Sequence, residues 1–537
     1  MTRIKSIRNR QGKKSKIRRF VSIVFNTFII YISLLGIFAF SGVSYLSDAT
    51  FIFATFPIIS IFILGIFVYS IYRYYPKYKI LRNFIVILSI LSLVIAFSRT
   101  IHFATTEGIE KEEIKYSKLM PSDKQKELIG KEGQLMAGAA KGDITPTKEL
   151  FPMPLLSILK FRDINDSVHN RVLAMSDGKE QYLYITLDMT LVPESEKTLN
   201  FISKETGIDK NNILITSTHT HGVTPISLMD YKNPLDKMKV EKWYGQVKNS
   251  LIKTIAKAQS NMVPAKYGYG EGKSNVNINR DILDEDGEKS ILGRNYEGYS
   301  DKTLRMVKID DMNDNNIALI ANHATHGVVM NGAINGPSTS LTGDLPGRSA
   351  TKVEEKLNGG IVFWSSSAAG DQNPKIGAQG VLVDENKKHS NFMLGKKASS
   401  VVLEHLSDEH SNDIYNYSKK IKVNNKDSLI QTKSKTVKVE ADKGYKNRQF
   451  KLKVFKLGNI AFEGVSAEVV SSIGSKIIAL SPYENTILMT MMNGYNGYIA
   501  DEWQYDHDAF ENSSHLKRGA GEKALIKGFS DIFNQIS

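Results

Sequence analysis

The sequence predicts a mixed α/β domain of roughly 400 residues carried behind a membrane-embedded amino-terminal segment. Three features carry that reading. The first hundred residues hold long uncharged apolar runs. Past residue 134, β-branched and aromatic runs alternate with stretches of helical apolar period. Short polar clusters also follow several of the apolar runs directly, where α/β proteins place their chemistry.

Residues 20–46 and 50–72 contain no charged side chain. Each is long enough to cross ~30 Å of hydrocarbon. A third run, 83–98 (NFIVILSILSLVIAFS), is shorter and spans with help from its flanks. A signal peptide would present one apolar segment of ~7–15 residues, not three in succession. The first nineteen residues carry nine Lys/Arg and no acid, and the turn between the second and third runs adds Arg73, Lys77, Lys79 and Arg82. Cations are retained on the cytoplasmic side. Three transmembrane helices within residues 1–104 are therefore expected, with the amino terminus cytoplasmic and everything beyond the third helix extracytoplasmic. Were the third run not to cross, the body would lie in the cytoplasm. Residues 105–134, polar and of mixed sign, read as a tether. The α/β domain is expected over 135–537.

The net charge of +14 sits in that front segment: residues 1–100 hold fourteen Lys/Arg against the single acid Asp48. The body is nearly neutral, which removes the case for nucleic acid. Cysteine is absent, so disulfides, thiolate nucleophiles and Cys-ligated metals are excluded. Any metal must be held by His, carboxylate or phenolate. In the body, strands are predicted over 181–189, 212–216, 316–322, 360–364, 450–462 and 486–491, and helices over 236–260, 346–357, 396–406 and 467–480. Residues 408–448 read as a polar surface excursion with edge strands, and no internal repeat is present.

Two motifs concentrate the chemistry. Ser217-Thr218-His219-Thr220-His221 follows the strand NILIT, and Asn322-His323-Ala324-Thr325-His326 ends the strand IALIA. Imidazoles at i and i+2 on an extended segment face the same way. Taken singly, each histidine is an ordinary core or surface residue; two clusters at equivalent strand ends point to a shared metal or acid/base site.

In order along the chain stand AGAAKGDITP (137–146), STHTH (217–221), NVNINR (275–280), NHATH (322–326), GDLPG (343–347), GDQNP (370–374), SAEVVSSIG (466–474) and NGYNGYIADEWQYDHDAFE (493–511). Over residues 135–537 this series resembles the neutral/alkaline, non-lysosomal ceramidase family. The resemblance implies a mixed-sheet zinc hydrolase domain that acts on N-acylated sphingolipids. It also implies zinc held by His219, His326, Glu468 (opening a helix) and Tyr498, with His221 and Arg280 near the scissile bond. Zinc on such ligands lowers the pKa of its water toward ~7 and polarises a carbonyl, so attack by zinc-bound water is expected, with His221 shuttling a proton and Arg280 holding the oxyanion. A plain surface salt bridge is the ordinary alternative for Arg280. Asp344 and Asp371, each in a Gly-Asp turn, are expected to form turns or support a ligand.

Two departures accompany the resemblance. Where the family's Gly-Asp turn carries a serine with a part in catalysis or binding, this chain has Asn373; an amide is no nucleophile, but it can hydrogen-bond substrate. The sequence also ends soon after the tyrosine motif, so the family's immunoglobulin-like domain is expected to be missing. The expected activity is cleavage of an amide or ester in an amphiphile such as ceramide at the bilayer. Two alternatives stay open: deacylation of a cell-envelope glycan or polymer, and a membrane receptor or scaffold without catalysis. The acyl group, head group and oligomeric state are not readable.

Overall fold

The structure, a computed structural model, describes residues 115–537 apart from 156–159, 227–230, 232, 331–338, 358 and 537, together with Asn83 and Ile87. The basic tail and the three runs expected to cross the membrane lie outside the described residues, those two positions excepted. No described helix is long and apolar enough to cross a membrane. The chain divides into two compact units, Met1–Glu113 with Tyr231–Lys237 and Ile114–Asp230 with Met238–Ser537. The second unit holds the elements that follow, residues 234–237 excepted.

Its centre is an eight-stranded mixed sheet. The strand order is Ile361–Ser366, Asn316–His323, Thr303–Asp311, Val263–Lys273, Met136–Asp143, His169–Ser176, Gln181–Leu187 and Ile213–Ser217. Only the first and last pairs are parallel. Ile213–Ser217 is buried throughout and Gln181–Leu187 nearly so, which is why both read as continuous apolar runs rather than alternating ones. Strands lie ~4.8 Å apart, so a flat sheet of this size would hold its outermost strands ~30 Å from each other. Instead Tyr184, in the seventh strand, packs on Phe363 of the first with ring centroids 5.6 Å apart. Just past the last strand, Thr220 bridges Gly327, just past the second. The sheet is curled until its two ends meet.

Helices Ser195–Thr206 and Pro234–Ser260 cover the outer face through Leu199, Ile202, Trp243, Leu251 and Ile255. Asp344–Lys356 and Lys396–Ser418 cover Leu319, Val362 and Trp364 through Val353 and Ile414. The inner face packs on a second sheet, ordered Ile430–Val439, Arg448–Leu457, Ile460–Val465, Asn485–Met489, by way of Phe455, Leu457, Phe462 and Ile487. That sheet's far side is closed by Ile473 and Ile477 of Ser471–Leu480 and by Leu525 and Phe529 of Ala520–Ile536. The result is four layers, helices outside two sheets, and the mixed α/β class expected from the sequence.

Several elements depart from expectation. The single strand over 450–462 is a hairpin that turns at Gly458, whose φ of 54° is in the left-handed region. The helix predicted over 396–406 runs on to Ser418, burying Leu406, His410 and Ile414 one turn apart; its polar opposite face made this part read as surface excursion. The helix predicted over 467–480 begins only at Ser471, and Glu468 lies on a two-residue strand, Glu468–Val469. Of the stretch read as a tether, residues 115–134 lie against the body. Tyr116 and Met120 are buried in its core, and the Tyr116 hydroxyl donates to Gln259 Oε1.

A buried ion cluster ties sheet to helix. Arg171, 1% exposed, donates from Nη1 to Asp188 Oδ2 at 2.9 Å and from Nε to Glu354 Oε1 at 2.7 Å. Elsewhere Glu463, on Ile460–Val465, is fully buried, and burial, partly offset by Ser481, pushes its carboxyl up to about 8. A carboxyl raised above its unfolded value of 4.5 stabilises the fold below that pH and loses the contribution as pH rises through 8. Glu463→Gln should therefore melt above wild type by a margin that widens from pH 5 to about pH 8. Equal melting shifts across that range in a thermal titration would contradict the assignment.

Candidate metal centre

The curl of the sheet brings the two histidine motifs together. His219 sits two residues past the last strand with φ 56°, a conformation rare for a residue with a side chain. It is held there by Thr218 N–H donating to the Leu187 carbonyl at 2.8 Å and by its own Nδ1 against the Thr190 carbonyl at 2.7 Å. His326 is held by Gln372, whose carbonyl accepts from His326 N–H at 3.1 Å and lies 2.9 Å from Nδ1. The two loops touch at Gly327, where an added Cβ would come 2.8 Å from Thr220 Cα; only glycine allows that approach. His221 N–H then donates to the Gly327 carbonyl at 2.9 Å.

Glu468 and Tyr498 arrive on a second pair of segments. Glu468–Val469 pairs in parallel with Tyr498–Ile499, Glu468 directly opposite Tyr498. The Glu468 Oε2 lies 2.9 Å from His326 Nε2 and 3.2 Å from His219 Nε2. His221 Nε2 lies 3.4 Å from His219 Nε2. The ligand atoms of the three histidines all fall within 4.8 Å of one another. His219, His326 and Glu468 are buried, and the Tyr498 ring is 6% exposed.

The donor set decides what this cluster suits. A carbonyl only accepts, so Nδ1 of both His219 and His326 carries the proton and each Nε2 presents a lone pair. Two lone pairs and a carboxylate oxygen then face one another in a buried space, an arrangement that repels unless a metal ion, or a proton on His219, stands among them. Two imidazoles, one carboxylate and a neighbouring phenol are a ligand set that zinc accepts, and backbone carbonyls behind the imidazoles are the usual support. Burial drives the His326 imidazolium down to about 4, assisted by Arg280, and drives His221 well below its ordinary value. Burial opposes charge on both Glu468 and His219, but the two offset it together: with a proton on the His219 imidazole, the carboxyl is held well below the usual range and the imidazole above its own, so without a metal that proton takes the cation's place. Burial, then the Glu468 charge, raises the Tyr498 phenol well above 10.

Arg280 completes the floor. It lies on Asn277–Leu283, is 4% exposed, and donates from Nε and Nη2 to Glu511 Oε1 at 2.8 and 2.6 Å. Its Nη1 is 3.3 Å from His326 Nε2 and its Nη2 3.4 Å from the Tyr498 hydroxyl. The surface salt bridge weighed for Arg280 is thus an interior one. Asn373 stands on Gln372–Pro374, paired with Asn277–Leu283, its Oδ1 3.5 Å from Arg280 Nη1. Asp371 accepts Ser471 N–H at 2.8 Å and its hydroxyl at 2.6 Å, which pins the segment after Glu468, and its carbonyl accepts Arg280 N–H. Asp344 binds the N–H groups of Val329 and Met330, fixing the loop after His326. All seven predicted site residues are brought together. Glu511 and Tyr495, which hydrogen-bonds Glu468, received no role from the sequence, although both lie in the 493–511 stretch.

Fold and site together define a layered α/β domain with a buried histidine–carboxylate–phenol centre. Residues 162–390 match the family model of the neutral/alkaline non-lysosomal ceramidase, N-terminal, and the family resemblance read from the motifs is borne out. That match includes His219, His221, Arg280, His326 and Asn373. The chain is 27% identical over 184 residues to neutral ceramidase B of Dictyostelium discoideum, covering 30% of this chain and 24% of that protein. To the neutral ceramidase of Pseudomonas aeruginosa it is 22% identical over 262 residues, covering 44% and 37%. The matched stretches thus span about a quarter to a little over a third of the length of these curated relatives. The crystal structure of the Pseudomonas aeruginosa neutral ceramidase superposes with a TM-score of 0.58 at 14% identity over 75% of each chain. A ceramidase complexed with C2 superposes with a TM-score of 0.57 at 13% identity. These two likenesses are of fold.

Among the described residues, Glu511 is the one carboxylate paired with the Arg280 guanidinium. Removing one partner of a buried pair costs ~3–5 kcal/mol. Glu511→Ala is expected to lose that much stability in urea titration; a loss below ~1 kcal/mol would show that the pair is not an interior ion pair.

Proposed function

We propose that this chain is a zinc-dependent amidohydrolase that cleaves the acyl amide of an N-acylated lipid, ceramide or a related amphiphile. The facing lone pairs of His219 and His326 with Glu468 between them carry the proposal. These three side chains would hold zinc with Tyr498 beside them. When bound, the ion supplies Lewis-acid polarisation of the acyl carbonyl and lowers the pKa of water toward neutrality.

The protein's own groups divide the remaining work. Arg280, kept charged by Glu511, presents its guanidinium to the oxygen on which negative charge develops. His221, kept neutral by burial and lining the cleft, would take a proton from the attacking water and pass it to the leaving nitrogen, so that the acid and the free amine are the products. Asn373 orients substrate by hydrogen bonding and makes no covalent bond. The cleft beside the centre measures about 730 Å³, and Leu292, Val381, Phe392, Met393 and Phe510 are among its lining residues. Of these, Met393 and Phe510 are about half exposed. That apolar lining favours an acyl chain over a sugar. Placement of the body outside the cell on three membrane helices belongs to the same proposal, since tethering raises the local concentration of lipid.

The test is zinc content and turnover of the full chain on short and long N-acyl and O-acyl substrates. His326→Ala and Glu468→Ala should each lose both zinc and activity, whereas Asn373→Ala should keep zinc and a measurable rate. Wild-type turnover in either ligand variant would refute the assignment. Loss of all activity in Asn373→Ala with zinc retained would overturn its non-covalent role.

A further inference from the structure

The cleft contains a second arginine with a different electrostatic situation from the first. Arg294 lies on Ser290–Asn295, the strand paired with Asn277–Leu283 that carries Arg280. Its Nε donates to the Lys375 carbonyl at 2.8 Å and its Nη2 to the Gln379 carbonyl at 3.4 Å. Its Cζ stands 5.3 Å from the centroid of the Phe392 ring. An added Cβ on Gly380 would come within 2.1 Å of Nη1, so glycine there leaves the guanidinium its place. The group is fixed in plane and position before any ligand arrives.

What it lacks is a counter-charge. Arg171 has Asp188 and Glu354, Arg280 has Glu511, and Arg348 has Glu404. Among the described residues no carboxylate pairs with Arg294. The described residues that line the cleft include two arginines and no aspartate or glutamate. Two carbonyl contacts fix the plane of Arg294, while Nη1 donates to no described residue. Those Nη1 hydrogens with the remaining Nη2 hydrogen form the planar fork that suits carboxylate or phosphate. A half-buried, unpaired guanidinium in an apolar cleft attracts anions more strongly than one in water.

We propose that Arg294 binds an anionic group, carboxylate or phosphate, on the amphiphile that occupies the cleft, and so selects acidic N-acylated substrates over neutral ones. The proposal rests on the reading of this cleft as the substrate site, but its test does not require turnover. Full-length, zinc-loaded protein in a neutral detergent is titrated calorimetrically with N-dodecanoylglycine, with its methyl ester, and with inorganic phosphate as competitor. The free acid should bind at least about tenfold more tightly than the ester. Arg294→Gln should erase that preference while leaving the ester's affinity unchanged, and Arg294→Lys should restore part of it.

Equal affinity of wild type for acid and ester overturns the proposal. So does a preference that persists in Arg294→Gln, which would place the carboxylate on the metal. If Arg294→Gln does not fold, the acid-to-ester ratio of wild type and of Arg294→Lys decides. Competition by inorganic phosphate in wild type alone supports a site that takes the anion by itself; no competition with the acid preference intact supports an anion read only with its chain. Preference for the acid without hydrolysis of either compound would sink the catalytic reading and leave this one standing; hydrolysis without preference would do the reverse.

Discussion

The structure is organised around one electrostatic constraint: the carboxylate of Glu468 faces the Nε2 atoms of two imidazoles in a buried space beside the cleft. Groups of like polarity do not collect in a protein interior without a cation to relate them. The surroundings are built to hold them in that position. The Thr190 and Gln372 carbonyls fix the tautomer of each ring, and Asp371 and Asp344 pin the segments beside Glu468 and His326. The left-handed backbone at His219 shows that the surroundings, not local preference, dictate its conformation.

The curl of the large sheet follows from the same requirement. His219 follows the outermost strand at one end and His326 the second strand from the other, so these ligands meet only because the sheet closes on itself. The second sheet fills the resulting concavity with Phe455, Phe462 and Ile487. Asn493, beyond that sheet's last strand, exchanges bonds with Ile215 and donates to the Ile213 carbonyl. It thereby joins the edge strand of the first sheet to the loop that carries Tyr498. The core and the centre thus share the same supports.

Much of this was legible in the chain. Fully buried strands such as Ile213–Ser217 announce themselves as uninterrupted apolar runs, and motifs placed directly after them mark the site. What could not be read was set by partners distant in sequence. Glu468 lies on a bridge strand because Tyr498 stands opposite it, a contact that no local pattern encodes. Glu511 looks like any acid near a chain end until Arg280 is seen to need it. The hairpin at Gly458 was hidden because both its strands are apolar, and the last turns of Lys396–Ser418 because their outer face is polar.

The function of this centre turns on which atoms surround one divalent ion. Zinc K-edge absorption spectroscopy of the purified full-length protein addresses it directly. Two imidazole nitrogens at ~2.0–2.1 Å with oxygen ligands at ~2.0–2.2 Å, and loss of one imidazole contribution in His219→Ala, are the predicted result. A shell of oxygen alone, or a spectrum unchanged in that variant, would mean that zinc binds elsewhere and that the buried cluster has another purpose.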